Sequence, residues 1–472
     1  AAVEQRKFNF EGEKAMQKMK NGKKVLSVCL SLAMAAGMLS TSAFASWNVY
    51  GGSNNHNAVV TEAPTTPDKS GLDSYIQLHC TGSGWDGVDN VPVLQTVNGT
   101  TYAYVLYDGY GASGALVAKI RCAENGGSSI VWTTDPYGTE GTSLNAKSGF
   151  QLSTPYLDDK GTPDDASDDT LYVGTISQYD DYEGGEWLTG TGSKVMALTG
   201  LDQNKPTVTN VLTGINGQIN TPITTDGTYL YFGTWPGGSN AGTYYQVKLS
   251  DYSVKTFIPD SYGFYWAGAV SDGTNVYFGS DNGLLYWRSI ADFDTTGGVL
   301  DLTDVASDAG NVRSTIMMDE DGLLYFTTQG GYLWCCSYDD GLTVKWPIKL
   351  DATSTSTPTK VGDRIYVGYY SGFSKGGVQC LDLGTGSLST VASGFPVQSS
   401  IVVMGDGTGT DYLYFNTNAS DGAGYCYSYD GGKTGSEVWA TKGDNYALGG
   451  MAIDNGYAVF GNDKNHLYVV HD

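Results

Sequence analysis

One pattern returns eight times along the chain and limits what it can fold into. An alternating strand ends in Tyr-Phe or Tyr-Val and a small residue, a polar turn follows, and a second alternating strand comes after it. "TYLYFGT" (228–234), "NVYFGSDNGLLYW" (275–287), "LLYFTTQGGYLWC" (323–335), "RIYVGYYSG" (364–372), "YLYFNT" (412–417) and "YAVFGNDKNHLYVV" (457–470) are the clearest copies. "LYVGT" (171–175) and the degenerate "TYAYVLYDGYG" (101–111) complete the set. Before most copies stands a turn such as "TDGT", "SDGT" or "DEDG", itself preceded by a short apolar strand. A further strand carries Trp132, Trp346 or Trp439. Each unit therefore reads as four short strands joined by hairpins. Units begin near residues 91, 150, 217, 264, 311, 355, 397 and 446. One such unit cannot bury its apolar faces alone, and a ring of them can. The expected fold is all-β, an eight-bladed β-propeller of four-stranded antiparallel blades, with seven blades as the fallback.

The ends supply a closure test. The last unit stops at "HLYVVHD", its third strand, while "SWNVYGG" near residue 46 offers Trp47 as a match to the fourth-strand tryptophans. An N-terminal strand is thus expected to complete the last blade and close the ring, which removes two exposed edges. Residues 46–472 would form one propeller domain. Residues 1–45 read differently. From Met16 a basic stretch, an apolar core and the site Ala43-Phe44-Ala45 have the order of a secretory signal peptide. The residues before Met16 read as translated upstream sequence. Val28 before Cys29 argues against a lipoprotein, and breaks at Ser31, Gly37 and Ser40 argue against a retained anchor.

Charge narrows the partners. The chain carries a formal net charge of −24. Its first 45 residues hold seven basic and three acidic side chains, so the remainder stands at −28 (−24 − 4). Such a surface repels nucleic acid and anionic membranes. No segment after residue 45 is apolar enough to cross a membrane, and a secreted monomer at the cell surface is the expectation.

The order Tyr-Val/Phe-Gly, turn, Leu-Tyr, "D..tG", then Trp resembles the PQQ-like (quinoprotein alcohol dehydrogenase-like) β-propeller repeat, most closely in "RIYVGYYSG…VQCLDLGTG" (364–386). The resemblance covers residues 46–472 and implies the fold far more than the activity, because that family spans dehydrogenases, assembly scaffolds and surface proteins. It also raises the question of a vicinal disulfide at Cys335-Cys336, the kind of pair that lies against the cofactor in the dehydrogenases. Aligned on the Tyr-Phe strand, however, Cys335 shares its slot with Cys380 and Cys426, where cysteine serves as a compact apolar residue. Neighbouring residues on a strand also point to opposite faces. Two free thiols are expected there, and Cys80 with Cys122 is the alternative place for a bond.

Candidate chemistry is sparse. "DDKGTPDDASDD" (158–169) offers Asp164, Asp165, Asp168 and Asp169 as oxygen ligands for Ca²⁺, without the EF-hand order; a solvated acidic loop is the alternative. Trp187, Trp235, Tyr179 and Tyr182 sit in the longer loops of the second and third units, where their rings could stack on a sugar or peptide or cover blade edges. His56, His79, His466 and His471 form no metal-ligand spacing, and no catalytic residue can be assigned. The functional expectation is a secreted bacterial, non-catalytic interaction or cell-surface scaffold with a protein or carbohydrate partner. A carbohydrate- or peptide-binding module is the alternative, and a quinoprotein-type oxidoreductase using PQQ ranks below both.

Overall fold

The structure is a computed structural model that describes residues 46–146, 152–176 and 192–472, together with the backbone of a two-stranded pair, Tyr182–Glu183 with Glu186–Trp187. Eight four-stranded antiparallel sheets form the blades of a propeller. Their innermost strands are Val93–Val97, Tyr156–Asp158, Thr224–Thr225, Val270–Ser271, Met317–Met318, Thr359–Val361, Val402–Met404 and Ala452–Asp454, blades 1 to 8 in order. The eight-bladed expectation holds, and the innermost strands all begin within seven residues of the unit starts read from the repeat.

The repeated Tyr explains how a blade is built. In blades 1 to 7 it lies on the second strand, at Tyr104, Tyr172, Tyr231, Tyr277, Tyr325, Tyr366 and Tyr414, and each is almost wholly buried. Facing it on the third strand are Cys335, Cys380 and Cys426 in blades 5 to 7. In blades 3, 4 and 5 the tyrosine hydroxyl donates to the aspartate of the preceding turn: Tyr231 to Asp226 at 2.8 Å, Tyr277 to Asp272 at 2.6 Å and Tyr325 to Asp319 at 3.1 Å. The other oxygen of each carboxylate accepts backbone N–H groups of the turn. One aspartate therefore closes the hairpin and satisfies a buried hydroxyl at once.

Trp47 does not close the ring. The fourth strand of blade 8 is Ile76–Gln77, antiparallel to His466–Val470, with Tyr75 stacked on His466 at 3.7 Å. Closure by an N-terminal strand is right and its position was not. Residues 46–60 instead run inside the ring as a strap along the inner edges of the blades. Trp47 and Asn48 carbonyls accept from Leu94 and Leu157 of blades 1 and 2, both at 2.8 Å. Val49 packs with Ile223 and Leu230 of blade 3, and His56 Nε2 meets the Ala269 carbonyl before blade 4 at 2.8 Å. The Asn55 carbonyl accepts from Met318 of blade 5 at 3.0 Å. Asn57 makes two 2.8 Å bonds with the backbone of Lys360 in blade 6. Val59–Val60 then pairs in parallel with the innermost strand of blade 7, and the Trp47 ring joins the core cluster that contains Ile453 of blade 8. Innermost strands leave a row of N–H and C=O groups facing the axis, and the strap satisfies part of that row in the interior.

All six cysteines described are free thiols, Cys80 and Cys122 included. Cys335 packs in the core between blades 5 and 6, and Cys336 in the core between blades 4 and 5, as expected for neighbours on one strand.

Candidate functional site

The loops that lead into the innermost strands meet at one end of the ring axis. They enclose a cavity of ≈ 60 Å³ open to solvent, with Tyr50 of the strap among its walls. Every blade contributes: Asn90 and Val91, Thr154, Asn220, Trp266, Arg313 and Thr315, Thr355, Gln398 to Ser400, and Gly449 with Gly450. Small hydroxyl residues stitch these loops together. Thr154 Oγ1 accepts from the Val91 N–H at 3.1 Å, Thr357 Oγ1 from the Thr315 N–H at 3.1 Å, and Thr355 Oγ1 donates to the Gln398 carbonyl at 3.2 Å. The Tyr50 hydroxyl is fixed by Thr357 at 3.0 Å and Ser400 at 2.5 Å.

Several polar groups at this mouth are buried and lack a partner among the described residues. They are Oδ1 of Asn90 and both Oδ1 and Nδ2 of Asn220, while the buried carboxyl of Asp89 meets only two other carboxyls, those of Asp86 and Asp463. The Asn90 amide nitrogen is used, donating to the Leu106 carbonyl at 2.8 Å. Burial raises the Asp89 carboxyl well above its ordinary range, and the neighbouring carboxylates of Asp463 and Asp86 push it further. Across the mouth Arg313 grips Asp281 with two bonds of 2.7 and 2.6 Å and lies over the Tyr265 ring at 4.4 Å. Trp266 adopts φ +57°, a left-handed conformation that costs a bulky residue energy and tends to occur at functional positions.

The residues singled out from the sequence whose side chains are described do not line this mouth. Trp235 is closest to the mouth: its ring meets Tyr265 edge-on at 5.2 Å, and Tyr265 in turn abuts Trp266 at 4.7 Å. Tyr179 lies outside the described residues. Tyr182 and Trp187 pair across the short two-stranded element, of which only the backbone is described. In the acidic loop Asp164 accepts from the Asn98 N–H, Asp165 from the Ser167 N–H, and Asp168 from the Thr162 hydroxyl. Asp169 turns inward, buried, to accept from Gln95 at 2.6 Å, and burial raises its carboxyl to about 6. The four carboxylates do not converge, and no group of three or more His, Cys, Asp or Glu is set to hold a metal ion among the described residues. The mouth itself was missed by sequence reading, since each blade supplies only one to three of its residues.

No protein-family model and no curated protein matches the chain. Solved structures do. Sqt1 of Saccharomyces cerevisiae superposes with a TM-score of 0.52 at 12% identity, covering 87% of this chain and 99% of its own. The chain is a β-propeller. BamB of Moraxella catarrhalis aligns with a TM-score of 0.49 at 14% identity over 84% of this chain and 98% of its own. A chain of a mitotic checkpoint complex aligns with a TM-score of 0.47 at 12% identity over 68% and 89%. At these identities the likeness is one of fold. No helix among the described residues is long and apolar enough to cross a membrane.

Proposed function

We propose that the chain is a non-catalytic interaction scaffold, exported to the cell surface, that holds a protein partner at the axial mouth. The observation that carries this reading is the mouth itself, a cavity of ≈ 60 Å³ lined by loops of all eight blades, into which blades 1 and 3 deliver buried polar groups without partners. Pockets that enclose a whole small molecule run to roughly 300–1,000 Å³. A cavity of ≈ 60 Å³ is small against that range and opens to solvent, which favours the end of a side chain presented by a larger partner over a wholly enclosed ligand.

The test is site-specific photo-crosslinking in cells that express the chain. A photoreactive residue at Gln398, on the rim, should capture one discrete protein. The same residue at Val299, exposed on the outermost strand of blade 4, serves as the control. Capture at neither position, or equal capture at both, would count against the reading.

A further inference from the structure

Acceptors outnumber donors in the axial mouth. Asn90 and Asn220 each offer an oxygen without a partner against the one amide nitrogen of Asn220, and the Asp89 carboxyl meets only the carboxyls of Asp86 and Asp463. Interchanging the oxygen and nitrogen of the Asn220 amide leaves that balance unchanged. Asp89 is 7% exposed and Asn220 2%, so bulk water does not solvate them freely. Buried acceptors without donors are costly, and a buried carboxylate more so. The carboxyls of Asp86 and Asp463 lie within hydrogen-bonding reach of Asp89, an arrangement that shared protons or a cation must hold together. The one cation on the mouth's wall among the described residues, Arg313, already has Nε and a terminal nitrogen committed to Asp281. The site therefore asks for a compact, donor-rich, positively charged group.

A divalent metal ion fits poorly. Ca²⁺ takes six to eight oxygen ligands and Mg²⁺ demands an octahedron. Among the described residues only one aspartate, Asp89, lines the cavity, and no metal-holding group is formed. An ammonium or guanidinium head needs fewer charged ligands and brings three to five N–H donors of its own. Trp266 on the same wall adds an aromatic ring, a surface that attracts such cations.

We infer that the axial mouth is a receptor for one arginine or lysine side chain of the partner protein, seated against Asp89 and the carboxamides of Asn90 and Asn220. This rests on the scaffold reading above. The probes are Nα-acetyl-arginine amide, Nα-acetyl-lysine amide and the uncharged Nα-acetyl-citrulline amide, titrated into the folded chain by calorimetry or NMR. The arginine or lysine amide should bind at least tenfold more tightly than the citrulline amide. Asp89→Asn should remove that preference, and Asn220→Leu should weaken cation binding should the first variant fail to fold. Equal binding of arginine and citrulline amides, or an unchanged preference in both folded variants, would overturn the inference. So would Asp89-dependent Ca²⁺ binding without arginine or lysine binding. The two readings separate cleanly. A crosslinked partner indifferent to competing arginine and lysine amides leaves the scaffold and removes the cation receptor. Asp89-dependent amide binding without any crosslinked partner does the reverse.

Discussion

At the innermost strand of blade 1, Gln95 and Thr96 point to opposite faces and reach the two neighbouring blades. Gln95 donates to Asp169 of blade 2 at 2.6 Å, and Thr96 to Asp454 of blade 8 at 2.9 Å. Both aspartates are buried, and burial raises each carboxyl to about 6. A raised pKa means that the folded chain holds a proton the unfolded chain has already lost. The contribution of Asp454 to stability is therefore full below pH ~4, the unfolded range, and is lost as the pH climbs through about 6. Asp454→Asn keeps an acceptor for Thr96 and cannot ionise. It should stabilise the protein by about 1–3 kcal/mol at pH 7.5, with the gain vanishing near pH 4. Urea denaturation at the two pH values measures this, and a gain that is equal at both would refute it. The thiols give a second expectation at this scale. Burial pushes Cys335 up to about 12 and raises Cys336 as well, so both should resist a thiol reagent in the native protein at pH 8. Cys80, only partly buried, should react first. An intact mass two daltons low, with the missing hydrogens mapped to residues 335–336, would mean that the pair is bonded.

At the scale of elements, the strap from residue 46 to 60 differs from every blade in having no period of its own. Its conformation is imposed by the edges it covers. Asn57 binds both the N–H and the C=O of Lys360, imitating a strand partner with a side chain. Asn57→Ala strands both groups and should cost about 1–3 kcal/mol. Trp47→Ala empties a buried site among blades 1 and 8 and should cost about 3–5 kcal/mol. Changes below 0.5 kcal/mol in both, by denaturant unfolding, would mean that the strap is dispensable. These two residues also show what the sequence could convey. Blades were legible because Tyr-Phe-Gly alternation and the Asp turns are local signals. The strap was not, because "SWNVYGGSNNHNAVV" takes its partners from eight segments scattered over more than 350 residues. Trp47 matched the fourth-strand tryptophans by residue type alone, while its true role is set by the axis of the ring. The spacing of Asp226 to Tyr231 and of Asp272 to Tyr277, five residues in each, was present in the sequence and marks the bonded pairs.

For the whole molecule, the decisive question is what keeps eight similar blades in one ring. Each blade packs against two neighbours, so an open ring would behave as a linear array whose ends fray independently. The axial mouth exists only in the closed form, since blades 1 and 8 bring Asn90 and Gly449 to opposite sides of the seam. The seam is held by few backbone bonds: the short pairing of Ile76–Gln77 with His466 and Leu467, the Leu78 N–H to the Asn465 carbonyl at 2.9 Å, and the Val88 N–H to the Asn462 carbonyl at 3.1 Å. Apolar burial around Leu78, Val88 and Phe460 adds to these. If opening at this seam is the first step of unfolding, locking it should slow unfolding of the entire ring. Ile76 and Leu467 are direct partners across the seam, so Ile76→Cys with Leu467→Cys offers a lock whose effect can be switched by reduction. Closing so long a loop should stabilise the oxidised form by up to about 5 kcal/mol. Stabilisation absent from the unfolding transition state appears as a slower unfolding rate. The oxidised variant should therefore unfold at least tenfold more slowly in guanidinium chloride than its reduced form. Equal rates would place the first opening elsewhere in the ring, and the closure by the N-terminal strand within blade 8 would then be no weaker than the rest.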